Sequence, residues 1–251
     1  MTLAYDEAGA GEVVVLLHSS AADSRMWDPQ WEALTARFRV IRPDLRGYGR
    51  TPYASETPYS DPGDVADLLA ALAVERAALV GASYGGQVAL EVATAHPALV
   101  SRLVLLNPGC GLPPTPDLVV FGEEEDRLLE AGEVEAAVEL NARTWLGPEA
   151  DGRARTGQMA MQRHAFEVQL AADPEPSQLE GEIDLDRVTM PTLVVGGAHD
   201  LPYFQMTARH LADRLASVTA VHLEWAGHLP SMERPGEITS LILRHLTRPA
   251  G

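Results

Sequence analysis

A serine enclosed by glycines is the first feature of this sequence that suggests chemistry. Ser83 lies in Gly81-Ala82-Ser83-Tyr84-Gly85, after a short apolar run at 77–80 and before a stretch with helical spacing. A strand that turns at once into a helix needs glycine beside the bend, because larger side chains would collide there. The free amides of the helix's first turn favour negative charge near the bend. The pattern predicts a nucleophile at Ser83, although a turn that merely contains serine has the same sequence.

A serine hydroxyl attacks efficiently only when a base takes its proton and a carboxylate orients that base. Three of the eight histidines, His18, His199 and His228, follow predicted strands. His18 is expected to shape its own loop, and His199 is adjacent to Asp200 and so is badly placed to be oriented by it. We therefore predict His228 as the base and Asp200 as the orienting acid. The alternatives are a loop-packing role for the histidine and a helix cap before Pro202 for the acid.

These residues need a scaffold that brings distant loops together. Strand patterns alternate with helix patterns, which predicts a doubly wound, mostly parallel sheet with right-handed crossovers. The predicted strands are 2–6, 13–17, 38–42, 77–80, 103–107, 192–195 and 218–225. The predicted helices of this framework are 28–37, 61–73, 84–96, 203–215 and 237–245, with Asp61 as a cap. Ligands of such sheets bind at the carboxyl ends of the strands, where all three candidate residues lie.

The alternation stops between about residues 110 and 190. Only helical stretches are predicted there, at 117–131, 133–146 and 149–172, and proline-rich segments flank them. We interpret 110–189 as an inserted helical cap over the crevice, with 1–109 and 190–251 forming the core domain.

Composition narrows the classes of partner. The net charge of −17 argues against nucleic acid as a ligand. No apolar run reaches about 18 residues and no signal pattern is evident, so a cytoplasmic protein without membrane contact is expected. Cys110 is the one cysteine, which excludes an internal disulfide. We expect a small-molecule substrate and neither cofactor nor metal, and the oligomeric state is left open.

The sequence resembles the α/β-hydrolase superfamily over essentially its whole length. The stretches that carry the resemblance are Leu16-Leu17-His18 followed by Trp27, Pro43-Asp44-Leu45-Arg46-Gly47-Tyr48-Gly49-Arg50, Gly81-Ala82-Ser83-Tyr84-Gly85-Gly86, Gly196-Gly197-Ala198-His199-Asp200 and Gly227-His228. The chain order of serine, acid and histidine is also that of this fold. Two departures stand out. Ser19 replaces the usual glycine, and little precedes Tyr5, so the family's first edge strand is expected to be missing and the sheet to have about seven strands.

The resemblance implies an oxyanion hole made of the backbone N–H groups of Tyr84 and Ser20. It also implies cleavage of a small or medium uncharged ester, lactone or thioester through an acyl-enzyme on Ser83, as in small esterases and enol-lactonases. The candidate pocket residues are Ser19, Met26, Trp27, Trp145, Leu201 and Leu229.

Two other functions are open at this point. The first is a carbon–carbon bond hydrolase of the same fold, which would need a basic pocket residue for a substrate carboxylate. The candidates in the cap are Arg143, Arg153, Arg155 and Arg163. The second is a receptor-like binding protein with a slow or vestigial triad. A serine nucleophile argues against the haloalkane dehalogenases and epoxide hydrolases of this superfamily, which need aspartate there.

Overall fold

Seven strands form one sheet in the part of the chain that the computed structural model describes, residues 3–248. The strands are β1 (Tyr5–Ala8), β2 (Val13–Leu17), β3 (Arg39–Pro43), β4 (Ala77–Ala82), β5 (Val100–Leu106), β6 (Thr192–Gly197) and β7 (Val218–Leu223). Their order is β1-β3-β2-β4-β5-β6-β7. Every neighbouring pair is parallel except β1 with β3. The prediction of a mostly parallel sheet of about seven strands is confirmed.

The antiparallel edge of the sheet differs slightly from the prediction. A short edge strand was expected at 2–6, and the structure has it at Tyr5–Ala8, where Tyr5 pairs with Pro43 and Ala8 with Val40. Thr2 lies outside the described residues. The predicted edge strand is therefore present as β1, which precedes β2 in the chain. Among residues 3–248 the sheet has no further strand beyond β1.

Nine α-helices accompany the sheet within residues 3–248. They are α1 (Asp28–Thr35), α2 (Asp61–Ala71), α3 (Tyr84–Ala95), α4 (Pro116–Glu130), α5 (Val134–Trp145), α6 (Gly152–Leu170), α7 (Pro202–Arg214), α8 (Pro230–Glu233) and α9 (Pro235–Leu246). Most lie within a few residues of the predicted bounds, whereas the single-turn helix α8 was not predicted. The cap of α2 was also wrongly predicted, since Ser60 rather than Asp61 accepts the Gly63 amide.

Each face of the sheet is covered by its own hydrophobic core. In β2, Val15 and Leu17 belong to the cluster under α2 and α3, while Val14 and Leu16 belong to the cluster under α1 and α9. Successive side chains of a strand point to opposite faces, so a strand that is buried on both sides must be apolar throughout. The continuous apolar runs of the sequence therefore correspond to a doubly wound sheet.

The segment between β5 and β6 is helical. Its helices α4, α5 and α6 share a small hydrophobic cluster of their own, which includes Leu128, Val138 and Phe166. None of the helices formed by residues 3–248 combines the length and apolar character that a membrane crossing requires.

Candidate active site

Ser83 occupies a strained bend between β4 and α3. Its backbone has φ 52° and ψ −116°, a conformation that non-glycine residues rarely adopt and that costs of order 1–3 kcal/mol. The neighbouring glycines make room for it. A Cβ atom on Gly81 would lie 2.2 Å from the Gly85 oxygen, and one on Gly85 would lie 2.3 Å from the Leu17 oxygen. Backbone atoms cannot yield at such distances, so the chain can turn this sharply only with glycine at both positions.

The Ser83 hydroxyl makes no hydrogen bond that stabilises the bend. Its side chain does not cap α3, although the serine is the N-cap residue. The Ser83 carbonyl accepts the amides of Gly86 and Gln87 at 2.9 and 3.1 Å, and its own N–H donates to the Leu106 oxygen at 2.9 Å. The Tyr84 amide opens the helix, where an N–H has no partner within the helix itself. A hydroxyl and an amide donor thus stand side by side at the end of β4.

The acid and the imidazole meet at the ends of β6 and β7. His228 Nδ1 lies 2.7 Å from Asp200 Oδ2, and both side chains are buried. Asp200 Oδ1 accepts the Leu201 amide at 2.7 Å, which holds the carboxylate in place. A carboxylate at Nδ1 selects the tautomer with its proton on that nitrogen, so Nε2 is left to accept a proton.

Aromatic side chains clamp the imidazole from the inserted segment and from α7. The His228 ring centroid lies 4.6 Å from that of Trp145 and 4.1 Å from that of Phe204. The His228 amide also donates to the Trp145 oxygen at 3.1 Å. Trp145 was predicted as a pocket residue, whereas Phe204 was not predicted. Its position two residues after Pro202 in an amphipathic helix gave no sign of this contact.

Asn107 ties the loops of the candidate triad together. Its Nδ2 donates to the carbonyl oxygens of Gly227 and His228 at 2.9 and 3.0 Å. Its Oδ1 accepts the Gly197 amide at 2.8 Å, and its backbone has φ 44°. Sequence reasoning placed Asn107 at the rim of the sheet but gave it no role.

A buried carboxylate, Glu233, is hydrogen-bonded to the loop that carries His228. Glu233 accepts the amides of Gly227 and Leu229 at 2.9 and 3.3 Å. Burial raises the pKa of Glu233. The carboxylate belongs to the unpredicted helix α8, so the sequence gave no reason to single it out.

Ser83 and His228 are not hydrogen-bonded to each other in this structure. Within residues 3–248 the imidazole makes its side-chain hydrogen bond through Nδ1, and the Ser83 hydroxyl makes no hydrogen bond. Catalytic hydrogen bonds are often long before substrate binds and shorten in the complex. The structure thus forms the acid–histidine pair after β6 and β7 and places the serine after β4, at the same edge of the sheet.

The loop after β2 carries the second candidate oxyanion donor. His18 is fully buried and accepts the Leu45 amide at Nε2, 2.9 Å away, while Nδ1 contacts the Ser19 oxygen at 2.9 Å. Burial lowers the pKa of this histidine, so it is neutral. His18 holds the loop in shape, as expected from the sequence. Ser20 is exposed and lines the same cavity as Tyr84.

Most of the predicted pocket residues are buried. Ser19, Met26, Trp27 and Leu229 have at most 1% of their surface exposed, and none of them lines the cavity that Ser20 and Tyr84 share. The Ser19 hydroxyl accepts the Ala21 amide at 3.1 Å and does not enter a pocket. For these four residues the pocket assignment stays a prediction, because an apolar residue near the end of a strand can face either the active site or the core. Trp145 is buried and Leu201 is partly buried, and both stay predicted pocket residues.

A cavity of about 630 Å³ adjoins Ser20 and Tyr84. Its walls are polar, and they come from the loop after β3, from α2 and α3, and from the segment before β6. The lining side chains include Arg46, Tyr48, Tyr53, Tyr59, Asp61, Gln87, Glu91, Gln169 and Gln178. Three or more histidine, cysteine or acidic side chains grouped as metal ligands are not found in the described part of the chain.

A doubly wound sheet with serine on a strand–helix bend, and with an acid–histidine pair at later strand ends, defines the α/β-hydrolase class. This chain belongs to the alpha/beta hydrolase family, whose family model matches residues 14–241.

Relatives extend the match to the whole chain. The protein named "Putative carbamate hydrolase RutD" of Variovorax paradoxus is 31% identical over 260 residues, which cover 99% of this chain and 97% of the relative. A hydrolase of Pseudomonas aeruginosa PA01 is 31% identical with a TM-score of 0.80, covering 98% of this chain and 94% of its own. The enol-lactonase of Burkholderia xenovorans LB400 is 26% identical with a TM-score of 0.78, covering 98% and 96%. The chain is therefore an enzyme, a hydrolase of the α/β fold.

Proposed function

We propose that the enzyme cleaves a small or medium carboxylic ester, lactone or thioester through an acyl-enzyme on Ser83. The observation that carries this proposal is the buried contact of 2.7 Å between His228 Nδ1 and Asp200 Oδ2. It orients the imidazole so that Nε2 can accept a proton, and Ser83, whose hydroxyl makes no hydrogen bond among residues 3–248, follows a strand that ends at the same edge of the sheet. Helices α4–α6 act in this proposal as the cap of the site, with 110–189 as its extent.

Acylation begins when Ser83 Oγ attacks the substrate's carbonyl carbon and its proton passes to His228 Nε2. The carbonyl oxygen becomes an oxyanion and accepts the N–H groups of Tyr84 and Ser20. Each such donor contributes about 3–4 kcal/mol to the transition state in enzymes of this type. Asp200 stabilises the imidazolium without taking its proton. The intermediate then collapses, the bond to the leaving oxygen or sulfur breaks, and His228 returns the proton to the leaving group.

Deacylation repeats these steps with water. His228 Nε2 takes a proton from water, the resulting oxygen attacks the acyl carbon, and the same two amides hold the second oxyanion. Ser83 then leaves with the proton from the imidazolium. The names of the relatives, a carbamate hydrolase and an enol-lactonase, describe reactions at a carbonyl carbon attached to oxygen or nitrogen, which supports acyl transfer.

The carbon–carbon bond hydrolase is less well supported. It needs a basic pocket residue for a substrate carboxylate, and none of the four cap arginines lines the cavity described above. Arg46 does line it, but its guanidinium is paired with both oxygens of Asp64. Arg155 and Arg163 form exposed ion pairs with Glu139 and Glu135. The receptor-like alternative lacks support because the chain is an enzyme.

The test is hydrolysis of activated short-chain esters by Ser83→Ala and by Ser240→Ala, a matched exposed serine on α9. We expect the first variant to lose nearly all turnover while remaining folded, and the second to match the wild type. Mass spectrometry of the wild type with a slowly deacylating ester should locate the acyl group on Ser83. Equal turnover by Ser83→Ala would refute the proposal.

A further inference from the structure

The cavity beside the candidate oxyanion donors has aromatic and acidic walls. Four tyrosines line it, and the carboxylates of Asp61 and Glu91 lie among them. The tyrosines are Tyr48, Tyr53, Tyr59 and Tyr84. Burial raises the pKa of each tyrosine hydroxyl, so all four are neutral. Negative charge in this cavity thus comes from the carboxylates alone.

Asp61 is the most deeply placed charge of this cavity. It is 3% exposed, and its Oδ2 accepts the Tyr84 hydroxyl and, at 2.9 Å, Gln178 Nε2. Its Oδ1 is buried without a hydrogen-bond partner among residues 3–248. Buried polar atoms are nearly always paired, and Asp61 lines this cavity, so its unpaired oxygen is a candidate contact for a ligand. The hydroxyl that Asp61 accepts belongs to the residue directly after Ser83, which links the carboxylate to the reaction centre.

Two backbone hydrogen bonds fix the segment that contacts Asp61. The Tyr59 amide donates to the Ser177 oxygen at 3.0 Å, and the Leu179 amide donates to the Tyr59 oxygen at 2.7 Å. Gln178 is thereby held over Asp61, and its Nε2 also lies 2.6 Å from the Tyr84 hydroxyl oxygen. The acidic wall is therefore a built part of the fold.

The cavity's own cation is already neutralised. Arg46 contacts the two oxygens of Asp64 at 2.6 and 2.8 Å, and its guanidinium stacks on the Tyr59 ring at 4.5 Å. Glu91 accepts the uncharged Gln87 amide at 3.0 Å, so its charge is not cancelled by that contact. The side chains that face the cavity consequently leave it net negative.

We propose that this cavity binds an ammonium group of the substrate, so that the enzyme prefers cationic esters or lactones to uncharged ones. Aromatic faces and carboxylates attract ammonium groups, and both attractions strengthen where water is excluded. Burial raises the pKa of Asp61 to about 6, which still leaves the carboxylate mostly ionised at neutral pH. The inference rests on the proposed acyl-transfer function. It departs from the uncharged substrate that the family resemblance implies.

Two pairs of esters that differ by one atom test the preference. 4-Nitrophenyl 4-(trimethylammonio)butanoate against 4-nitrophenyl 5,5-dimethylhexanoate places the charge on the acyl side. Acetylcholine against 3,3-dimethylbutyl acetate places it on the alcohol side. In each pair a carbon replaces the nitrogen at nearly equal volume. We expect kcat/KM of the wild type to be at least about tenfold higher for the cationic member of one pair, from the attraction between close opposite charges.

Variants connect that preference to the cavity. Asp61→Asn and Glu91→Gln should each lower the ratio of cationic to uncharged kcat/KM severalfold. Asp67→Asn removes the same charge from the exposed side of α2 and should leave the ratio unchanged. The ratio normalises any general loss of activity in a variant.

A binding measurement needs no turnover. Calorimetric titration of the wild type with choline and with its uncharged isostere 3,3-dimethylbutan-1-ol should show the tighter binding for choline. Hydrolysis of uncharged esters without a preference for either cationic member, or a preference that both cavity variants retain, would overturn the inference and leave the proposed function intact. Absence of hydrolysis of every ester would instead count against the proposed function. The choline titration would then test by itself whether the cavity binds an ammonium group.

Discussion

Asn107 donates its side-chain amide to the carbonyl oxygen of His228 at 3.0 Å, although 121 residues separate them. The same side chain accepts the Gly197 amide on the strand that leads to Asp200. Its neighbour Leu106 accepts the Ser83 amide. One residue at the end of β5 thus touches or adjoins every loop of the candidate triad, which makes it a positioning residue.

Replacement of Asn107 tests that role. Asn107→Ala leaves two buried carbonyls and one buried amide without partners, and each unpaired group costs about 1–3 kcal/mol. We expect a clear loss of unfolding free energy in chemical denaturation. We also expect kcat to fall at least about tenfold with a smaller change in KM, because a displaced imidazole is poorly positioned for proton transfer in the transition state. Leu69→Ala, in the core under α2, is the matched control that destabilises without touching the loops. A kcat loss no larger than in that control would assign Asn107 a purely structural role.

Asp200→Asn should abolish the selection of the imidazole tautomer. The new amide can donate to His228 Nδ1, which leaves the ring proton on Nε2 and removes the acceptor for the serine proton. By analogy with other triads, kcat should fall about 10⁴-fold. Initial rates with a saturating short-chain ester measure the effect, and Asp213→Asn on the exposed face of α7 controls for loss of charge. An unchanged rate would point to a different acid.

The glycines beside Ser83 are predicted to differ sharply from glycines elsewhere. In Gly85→Ala the new Cβ would meet the backbone oxygens of Leu17 and His18 at 2.3 and 2.5 Å. We expect a loss of about 1–3 kcal/mol of unfolding free energy from overpacking, together with a loss of activity. Gly122→Ala, in α4, has open space around its Cβ and should be neutral or more stable by about 0.5–1 kcal/mol. Similar stability changes in the two variants would contradict the steric account of the bend.

Asp61 should destabilise the protein when it is ionised. Burial raises its pKa to about 6, above the ordinary aspartate value, even though the Tyr84 hydroxyl and Arg46 oppose the shift and Asp64 adds to it. A raised carboxyl pKa stabilises the folded state at acidic pH, and that contribution is lost as pH rises through about 6. Asp61→Asn should therefore gain stability relative to the wild type at pH 8 but not at pH 4.

The gain in unfolding free energy of Asp61→Asn at pH 8 has an upper limit of about 3 kcal/mol, since each unit by which the Asp61 pKa is raised corresponds to about 1.4 kcal/mol. Thermal unfolding of both proteins from pH 4 to 8 measures it, with Asp67→Asn as the exposed control. A difference in Tm between Asp61→Asn and the wild type that does not change with pH would exclude a buried, costly carboxylate.

The sequence predicted most of what depends on contiguous residues. Continuous β-branched runs gave the strands within a few residues, and glycine spacing gave the bend at Ser83. The one-turn helix α8 escaped notice because four residues carry too little periodicity to identify a helix. His228 and Asp200 each follow a strand, and parallel strands end at a common rim, so their proximity could be inferred before any coordinates existed.

Tertiary structure decided the walls of the site. Met26 and Trp27 satisfy the same local description as pocket residues, yet they face the core. Asp61 and Gln178 are hydrogen-bonded although 117 residues separate them in the chain. Neither local sequence indicates this contact. Local pattern thus determined the sheet, the bend and the order of the catalytic candidates. The acidic cavity was decided only by long-range packing, because the direction in which a side chain points depends on the elements that pack against its own.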